Sequence, residues 1–184
     1  MNGMLSLNGE WQLTWSEDGP EIPAALRAPG QMWIPARVPA PVHEVLMGAG
    51  LLDDPNVGLN SLRARWVEEQ YWVYRLAFDV PDFAVRGSQW LVFDWLELDA
   101  SVRLNGNEVG RHRNAHRSAR FDVTGHLRPG ANVLVVVVES GLHAVNDVPV
   151  DGYGFDPYAR MTRRPLLRKA QYQCGWDWSP RMMN

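Results

Sequence analysis

The chain has 184 residues, of which 46% are hydrophobic and 21% are charged, and its formal net charge is −3. This length and composition are typical of one soluble globular domain and exclude a disordered chain, a coiled coil and a collagen helix. A single cysteine, Cys174, excludes an internal disulfide and a cysteine-based zinc site. The slightly negative charge provides no general attraction to nucleic acid or to an anionic membrane, so neither partner is expected.

The two ends of the sequence lead to two expectations. The N-terminus lacks the basic start and the apolar stretch of a secretion signal, and the apolar run 133–138 is too short to cross a bilayer. A cytoplasmic location is therefore the expectation. The chain ends at Asn184, shortly after its most aromatic stretch, which predicts that these 184 residues are a fragment of a longer protein.

Short apolar segments between turn residues predict an all-β domain. Asn105-Gly106 predicts a tight hairpin, because Asn-Gly supplies the two positive φ angles of a type I′ turn. The β-branched run in 132–139 predicts a strand that is buried on both faces, with 70–80 as its matching partner. In chain order, the predicted strands are 9–15, 70–80, 89–94, 100–104, 107–111, 121–124 and 132–139.

Helical signals are confined to 41–50, which has proline at its start and glycine at its end and is predicted to be the one helix of note. Segments 16–36 and 140–165 are rich in proline, glycine and aspartate and are predicted to be long loops. No repeat or interdomain linker is present in the sequence. These features together predict one β-sandwich of the jelly-roll kind with one or two short helices.

The histidines and arginines of the basic run 111–120 provide a weak functional signal. His112 and His116 are four residues apart, a spacing that would place both on one face of a helix as metal ligands. The segment is predicted to be strand and loop, however, and the surrounding arginines would repel a cation, so no metal site is predicted. A phosphate or nucleic-acid site is less favoured than a solvated basic face, because no aromatic residues are interleaved.

The carboxylate pairs of the sequence do not identify an acid–base site. Asp53-Asp54, Glu68-Glu69 and Glu97 with Asp99 lie in predicted turns or alternate along strands. Each of these side chains is therefore predicted to lie at the surface.

The segment 175–180, which we call the aromatic loop, differs in kind. It places the carboxylate of Asp177 between the indoles of Trp176 and Trp178, with glycine and proline at its two ends. Apolar ring faces beside an anionic acceptor suit a sugar, whose C–H surfaces stack on indoles and whose hydroxyls donate to carboxylates. The alternative is that these tryptophans close the core and Asp177 caps a turn. The residues alone leave both interpretations open.

Several motifs together resemble the N-terminal sugar-binding domain of glycoside hydrolase family two, and they cover nearly the whole chain. The motif RKAQY at 168–172, leading into the aromatic loop, and the region 42–55 resemble the β-mannosidase branch of that family more narrowly. The motifs shared across the family are LNGEW at 7–11, VPAPVH at 38–43, WVYR at 72–75, LNGNEVG at 104–110, FDVT at 121–124 and LRPGAN at 127–132.

The resemblance implies a galactose-binding-like jelly roll that packs against downstream immunoglobulin-like and TIM-barrel domains. The two catalytic glutamates of the retaining mechanism would belong to the barrel, so no catalytic residue is expected in this chain. Asp177 would accept hydrogen bonds from the hydroxyls of a terminal β-mannosyl unit or a related oligosaccharide. Trp176 would form an apolar wall, and Trp178 would contact the sugar or pack beside it. No cofactor and no metal are implied.

Two residues depart from the branch's pattern. Ser179 stands where glycine is usual, and its Cβ restricts the backbone of the aromatic loop. Trp95 also stands where glycine is common, and it is predicted to place a large ring beside the Asn-Gly hairpin.

Two other functions remain as alternatives. The chain could be a free-standing carbohydrate-binding module that uses Trp176 and Trp178 as a stacking platform. It could also be the corresponding domain of a β-galactosidase, a β-glucuronidase or an exo-glucosaminidase.

Overall fold

A computed structural model describes residues 3–17, 19, 32–82, 87–145, 147–149 and 164–174, and this part of the chain contains eight antiparallel strands in two sheets. The strands are β1 (Gly9–Ser16), β2 (Ile34–Val38), β3 (Tyr71–Val80), β4 (Trp90–Phe93), β5 (Asp99–Leu104), β6 (Asn107–His112), β7 (Ala119–Asp122) and β8 (Gly130–Glu139). The helices are α1 (Val42–Gly48), α2 (Asn60–Arg63) and α3 (Leu142–Val145), with 3₁₀ turns at Ala64–Glu69, Arg164–Leu166 and Gln171–Cys174.

The larger sheet has six strands in the order β2-β1-β3-β8-β5-β6, and its centre is the pair formed by β3 and β8. These two strands pair over nine residues, from Trp72 opposite Val138 to Val80 opposite Gly130. The prediction that 70–80 and 132–139 are partners is confirmed. Residues 132–139 are all buried or half-buried, as their β-branched run predicts.

The second sheet pairs β4 with β7 and packs on one face of the larger sheet. Phe93 and Phe121 meet edge to face with their ring centroids 6.2 Å apart, and both belong to the same core cluster as Leu13, Val102 and Leu134. At one point the two sheets approach very closely, because a Cβ built on Gly110 would lie 2.2 Å from Cδ1 of Phe121. The core therefore lies between two layers, as expected for a sandwich.

The hairpin between β5 and β6 turns at Asn105 and Gly106, whose φ angles are 52° and 87°. This confirms the tight turn predicted from Asn-Gly. The Asn105 side chain does more than permit the turn. Its amide nitrogen donates to the carbonyl of His126 and to Oδ1 of Asn132, each at 2.8 Å, and its oxygen accepts from the backbone N–H of Val133 at 3.0 Å. The hairpin is thereby joined to the beginning of β8.

The predicted loop 16–36 is wrong at its end, where β2 begins at Ile34 and pairs with β1. Only Ile34 and Ala36 of this strand are buried, and Pro35 removes a backbone donor. An edge strand tolerates such a proline because one of its sides forms no hydrogen-bond ladder. The proline-rich composition of 16–36 therefore predicted a loop where the chain forms a strand.

Helix α1 confirms the helix predicted at 41–50, but it is not the only helix. The chain also forms α2 and the 3₁₀ turn Ala64–Glu69 before β3, and α3 lies inside the predicted loop 140–165. Trp66 of the 3₁₀ turn packs against both Trp15 and Trp72, with ring centroids 5.9 and 5.8 Å away. Within the described ranges, no helix combines the length and the apolar character needed to cross a membrane.

Replacing Gly110 with alanine should destabilise the sandwich. The added methyl group would overlap the buried ring of Phe121, and overpacking a core costs about 1–3 kcal/mol. Urea unfolding of the chain measures the loss. Gly48→Ala is the matched control, because no atom lies within 4 Å of a Cβ at this helical position. That control should raise the free energy of unfolding by up to about 1 kcal/mol. Equal stability of the Gly110→Ala variant and the wild type would contradict the close approach of the two sheets.

Candidate functional site

The predicted sugar-contacting residues Trp176, Asp177 and Trp178 lie outside the described residues, as does Ser179. The description of the chain reaches Cys174, directly before the aromatic loop. The structural basis of the candidate site is therefore the segment 164–174, which we call the lead-in segment, and the side chains that hold it.

The lead-in segment is held by a buried ion pair. Nζ of Lys169 lies 2.9 Å from Oε2 of Glu97, and the lysine side chain is completely buried while that of Glu97 is 15% exposed. Lysine is almost never fully buried without a charged partner, because the desolvation of an unpaired ammonium is too costly. The pair thus ties the lead-in segment to the residues that precede β5.

In addition to this ion pair, Glu97 accepts two hydrogen bonds through its other oxygen, Oε1. Nε2 of Gln173 donates to it at 2.6 Å, and the indole N–H of Trp95 donates to it at 3.0 Å. One carboxylate therefore gathers an ammonium, an amide and an indole. Gln173 is only four residues before Asp177, so this cluster fixes the chain close to the start of the aromatic loop.

An apolar contact and a backbone hydrogen bond support the same segment. Leu167 is buried against Leu98, and the N–H of Ala115 donates to the carbonyl of Arg168 at 2.8 Å. Gly141 lies so close that a Cβ there would be 2.4 Å from Leu98 and 2.9 Å from Leu167. Polar and apolar contacts from three parts of the chain thus position the lead-in segment.

The prediction that Glu97 and Asp99 lie at the surface is wrong. Their side chains are only 15% and 18% exposed, and each forms an ion pair, Glu97 with Lys169 and Asp99 with Arg113. Glu68 is also buried, with 8% exposure. Local spacing could not reveal this, because the partner of Glu97 is 72 residues away in the sequence. Lys169 belongs to the RKAQY motif on which the resemblance depends, and this motif was the sequence feature that could have pointed to a structural role for the lysine.

The predicted position of Trp95 is also wrong. Its indole bonds to Glu97, which precedes the first residue of β5, whereas Asn105-Gly106 follows the last residue of that strand. The two ends of a six-residue strand lie about 17 Å apart. Trp95, which is 70% exposed, therefore lies beside the lead-in segment and not beside the hairpin.

Most of the basic side chains in the run 111–120 are exposed, as predicted, but several of its arginines have partners. Arg111 is ion-paired with Glu108 at 2.9 Å, and the guanidinium of Arg120 lies 4.2 Å from the centre of the Trp90 ring. His112 ends β6 and His116 follows in a turn, so the two histidines do not share a helix face. Among the described residues, no group of three or more histidine, cysteine, aspartate or glutamate side chains could hold a metal ion.

A cavity of about 190 Å³, which we call the outer pocket, lies on the face of the large sheet opposite the second sheet. Ser101, Val137 and Arg111 are paired neighbours on β5, β8 and β6 and present their side chains to it. The full lining is Tyr71, Asp99, Ser101, Arg111, Arg113, Val137, Glu139, His143 and Ala144. No motif in the sequence predicted this pocket, because its residues come from four separate segments.

Two titratable groups of the outer pocket are perturbed. Burial raises the pKa of the Glu139 carboxyl, although this group accepts hydrogen bonds from the backbone N–H groups of Gly141 at 3.0 Å and His143 at 3.2 Å. Burial also raises the pKa of Tyr71, and the charges of Glu139 and Asp99 add to the effect. The rings of Tyr71 and His143 stack at 4.5 Å with 16° between their planes.

Comparison with known proteins assigns the family. Residues 11–184 match the family model described as "Glycosyl hydrolase 2 galactose-binding domain-like". The chain belongs to this family. The resemblance to glycoside hydrolase family two and the predicted galactose-binding-like β-sandwich are thus confirmed.

Among curated proteins, this galactose-binding-like domain is similar to β-mannosidase B of Aspergillus terreus, with 38% identity over 83% of this chain and 19% of that protein. It is also similar to β-mannosidase B of Emericella nidulans, with 37% identity over 79% of this chain. The domain therefore spans about a fifth of the length of these relatives.

Solved structures of glycosidases are also similar to this chain. A β-D-mannosidase from Dictyoglomus thermophilum superimposes with a TM-score of 0.78 at 32% identity, over 96% of this chain and 20% of that one. A β-glucuronidase from Bifidobacterium dentium gives a TM-score of 0.53 at 31% identity, over 73% of this chain and 20% of that one.

Replacing Lys169 with methionine should destabilise the chain by about 3–5 kcal/mol, because Glu97 would remain buried without its ammonium partner. Urea unfolding measures the loss. The double variant Lys169→Met/Glu97→Gln should recover part of the stability, since it removes both charges together. Additive losses in the double variant would contradict a direct charge interaction.

Stability should depend on pH through Glu139. Burial raises the pKa of this group in the folded chain above 4.5, so the folded state prefers the protonated carboxyl. The protonated Glu139 carboxyl contributes its full stabilisation below the pKa that it has in the unfolded chain. This contribution is lost as the pH rises through its pKa in the folded chain. Relative to Glu139→Gln, which stays neutral, the wild type should lose free energy of unfolding as the pH rises from below 4.5 through the raised pKa of the folded state. Urea unfolding of both proteins across this range provides the test, and a constant or growing advantage of the wild type would contradict it.

Proposed function

We propose that this domain belongs to a β-mannosidase-like retaining exo-glycosidase that releases terminal non-reducing β-mannosyl units. Residues 1–184 form one sugar-binding unit of that longer protein. It packs against immunoglobulin-like and TIM-barrel domains, and the barrel supplies the two catalytic glutamates. The domain itself provides binding contacts and neither a catalytic group nor a cofactor.

One observation carries the choice of β-mannosidase. Over the regions that they match, the Dictyoglomus mannosidase and the Bifidobacterium glucuronidase have nearly the same sequence identity to this chain, 32% and 31%. The mannosidase nevertheless matches 96% of this chain with a TM-score of 0.78, against 73% and 0.53 for the glucuronidase. The curated relatives described above also carry the name β-mannosidase.

In this proposal the aromatic loop contributes to the pocket for the terminal sugar. The Asp177 carboxylate accepts hydrogen bonds from sugar hydroxyls, Trp176 forms an apolar wall, and Trp178 contacts the sugar or packs behind it. The cluster around Glu97 supports this role, because it holds Gln173 and Lys169 immediately before the loop. A loop that begins from a fixed point loses less conformational entropy when it binds a ligand.

Replacing Asp177 with alanine in the complete protein should lower kcat/KM for a nitrophenyl β-mannoside. The sugar hydroxyls would lose their acceptor in a desolvated pocket, which costs about 1–3 kcal/mol, or roughly 5- to 150-fold. Steady-state kinetics measure the change. Asp79→Ala, at an exposed carboxylate on β3, is the matched control and should leave kcat/KM unchanged. Unchanged kinetics in Asp177→Ala would remove this residue from the site.

The same assay distinguishes the related enzymes. A panel of nitrophenyl β-galactoside, β-glucuronide and β-glucosaminide should give much lower kcat/KM than the β-mannoside. A free-standing carbohydrate-binding module would instead lack hydrolytic activity, and the 184-residue chain alone would show a saturable change in tryptophan fluorescence with mannose.

A further inference from the structure

Large apolar side chains are exposed around one end of the sandwich, the end at which β3 and β5 begin and β8 ends. We call it the lead-in end, because the lead-in segment is held there by Glu97 and Leu98, the two residues before β5. Several such side chains at one end of a domain mark an interaction surface, whereas single ones scattered over a protein do not. The exposed side chains at the lead-in end are Leu59, Leu62, Trp95 and Tyr172.

The two leucines are brought to this end by the segment that precedes β3. The N–H of Leu62 donates to the carbonyl of Leu59 at 3.0 Å, and α2 continues directly into the 3₁₀ turn Ala64–Glu69. The carbonyl of Glu68 in that turn accepts a hydrogen bond from Oγ of Ser140 at 2.9 Å. Ser140 is the first residue after β8, so the two leucines lie at the lead-in end.

The two aromatic side chains belong to the support of the lead-in segment. Trp95 is exposed although its indole N–H is held by Oε1 of Glu97 at 3.0 Å. Tyr172 lies in the 3₁₀ turn Gln171–Cys174, which the N–H of Gln173 closes by donating to the carbonyl of Ala170 at 3.0 Å. Side chains on a backbone that is already fixed lose little entropy when a partner covers them, and tryptophan and tyrosine are enriched in protein interfaces.

The occupant of this surface is indicated by the length of the relatives and by the position of the aromatic loop. The domain spans about a fifth of the length of its relatives, so most of each relative lies outside it. The aromatic loop begins directly after Cys174, at the lead-in end. In the proposed function this loop contributes to a pocket whose catalytic glutamates belong to the barrel. The barrel must therefore approach this end of the sandwich.

We propose that the lead-in end is the surface on which the barrel domain of the longer protein packs, with Leu59, Leu62, Trp95 and Tyr172 as its apolar centre. This inference rests on the proposed function and names the surface that serves it. The opposing face of the barrel is apolar at its centre. The exposed Arg63 and Arg65 beside Leu62 favour acidic groups at its rim, because charges across an interface are complementary.

Hydroxyl-radical footprinting of the complete protein, read by mass spectrometry, tests the proposal without any substitution. Trp95 and Trp90 form a matched pair of the same residue type, with 70% and 47% exposure. Trp90 begins β4, about 17 Å along the chain from Trp95. A covered Trp95 should be oxidised more slowly than Trp90, in spite of its greater exposure in this domain. Faster oxidation of Trp95 than of Trp90 would overturn the proposal.

Photo-cross-linking identifies the occupant. Leu62→p-benzoylphenylalanine in the complete protein should cross-link to a peptide of the same chain beyond residue 184, with a yield that does not change on dilution. In a mixture of ¹⁴N- and ¹⁵N-labelled protein, cross-links between the two labels would assign the surface to a second copy and overturn the proposal. Cross-links confined to residues 1–184, or no cross-link at all, would also overturn it.

A charge at the centre of the surface should open it. Leu62→Glu places an unpaired carboxylate in the interface, which should raise the oxidation rate of Trp95 above that of Trp90 and lower kcat/KM for a nitrophenyl β-mannoside. Val92→Glu, on the second sheet, is the matched control, because Val92 and Leu62 are 53% and 56% exposed. It should leave both quantities unchanged. Continued protection of Trp95 in Leu62→Glu would overturn the placement of Leu62 in the interface.

The footprint and the enzyme assay separate this inference from the proposed function. Protection of Trp95 in a protein that hydrolyses no β-mannoside would support the docking surface and overturn the function. Hydrolysis of β-mannoside by a protein in which Trp95 is oxidised faster than Trp90 would support the function and overturn the docking surface.

Discussion

The burial of β8 on both of its faces is the constraint on which the rest of the described structure depends. One face places Leu134 and Val136 in the core between the two sheets, and the other places Val137 against Val73. Each such side chain contributes about 1.5–3 kcal/mol when it is fully buried. A strand of this kind is stable only inside a sheet, and β3 and β5 occupy its two edges. The alternation of these strands then decides which side chains face the core and which form the outer pocket.

The pairing of these strands also determines where several polar side chains lie. Asp99 is opposite Glu139 on the adjacent strand and Ser101 is two residues along from Asp99, so the three side chains lie on one face of the sheet without any local sequence signal. Glu97 comes before the first residue of β5 and forms its ion pair with Lys169 of the lead-in segment. The same end of β5 therefore contributes one carboxylate to the outer pocket and another to the support of the aromatic loop.

The sequence correctly predicted the elements that are determined by neighbouring residues. The Asn-Gly hairpin, the valine strand and the helix after Pro41 each depend on the conformational preferences of a few adjacent residues, and all three are confirmed. The edge strand β2 was missed, because Pro35 is acceptable there only through its position at the sheet edge. The resemblance of the motifs gave the family, while spacing alone left the aromatic loop open to two interpretations. Partnerships between distant residues, such as Glu97 with Lys169, depend on the folded topology and could not be deduced from composition or periodicity.

The convergence of three donors on Glu97 has an evolutionary consequence. Trp95, Lys169 and Gln173 share one acceptor group, so a substitution at any of them changes the environment in which the other two are tolerated. In related chains these four positions should therefore change together, as a set, instead of drifting one at a time. A tryptophan at position 95 would then persist only where the acceptor at position 97 is an acid or an amide.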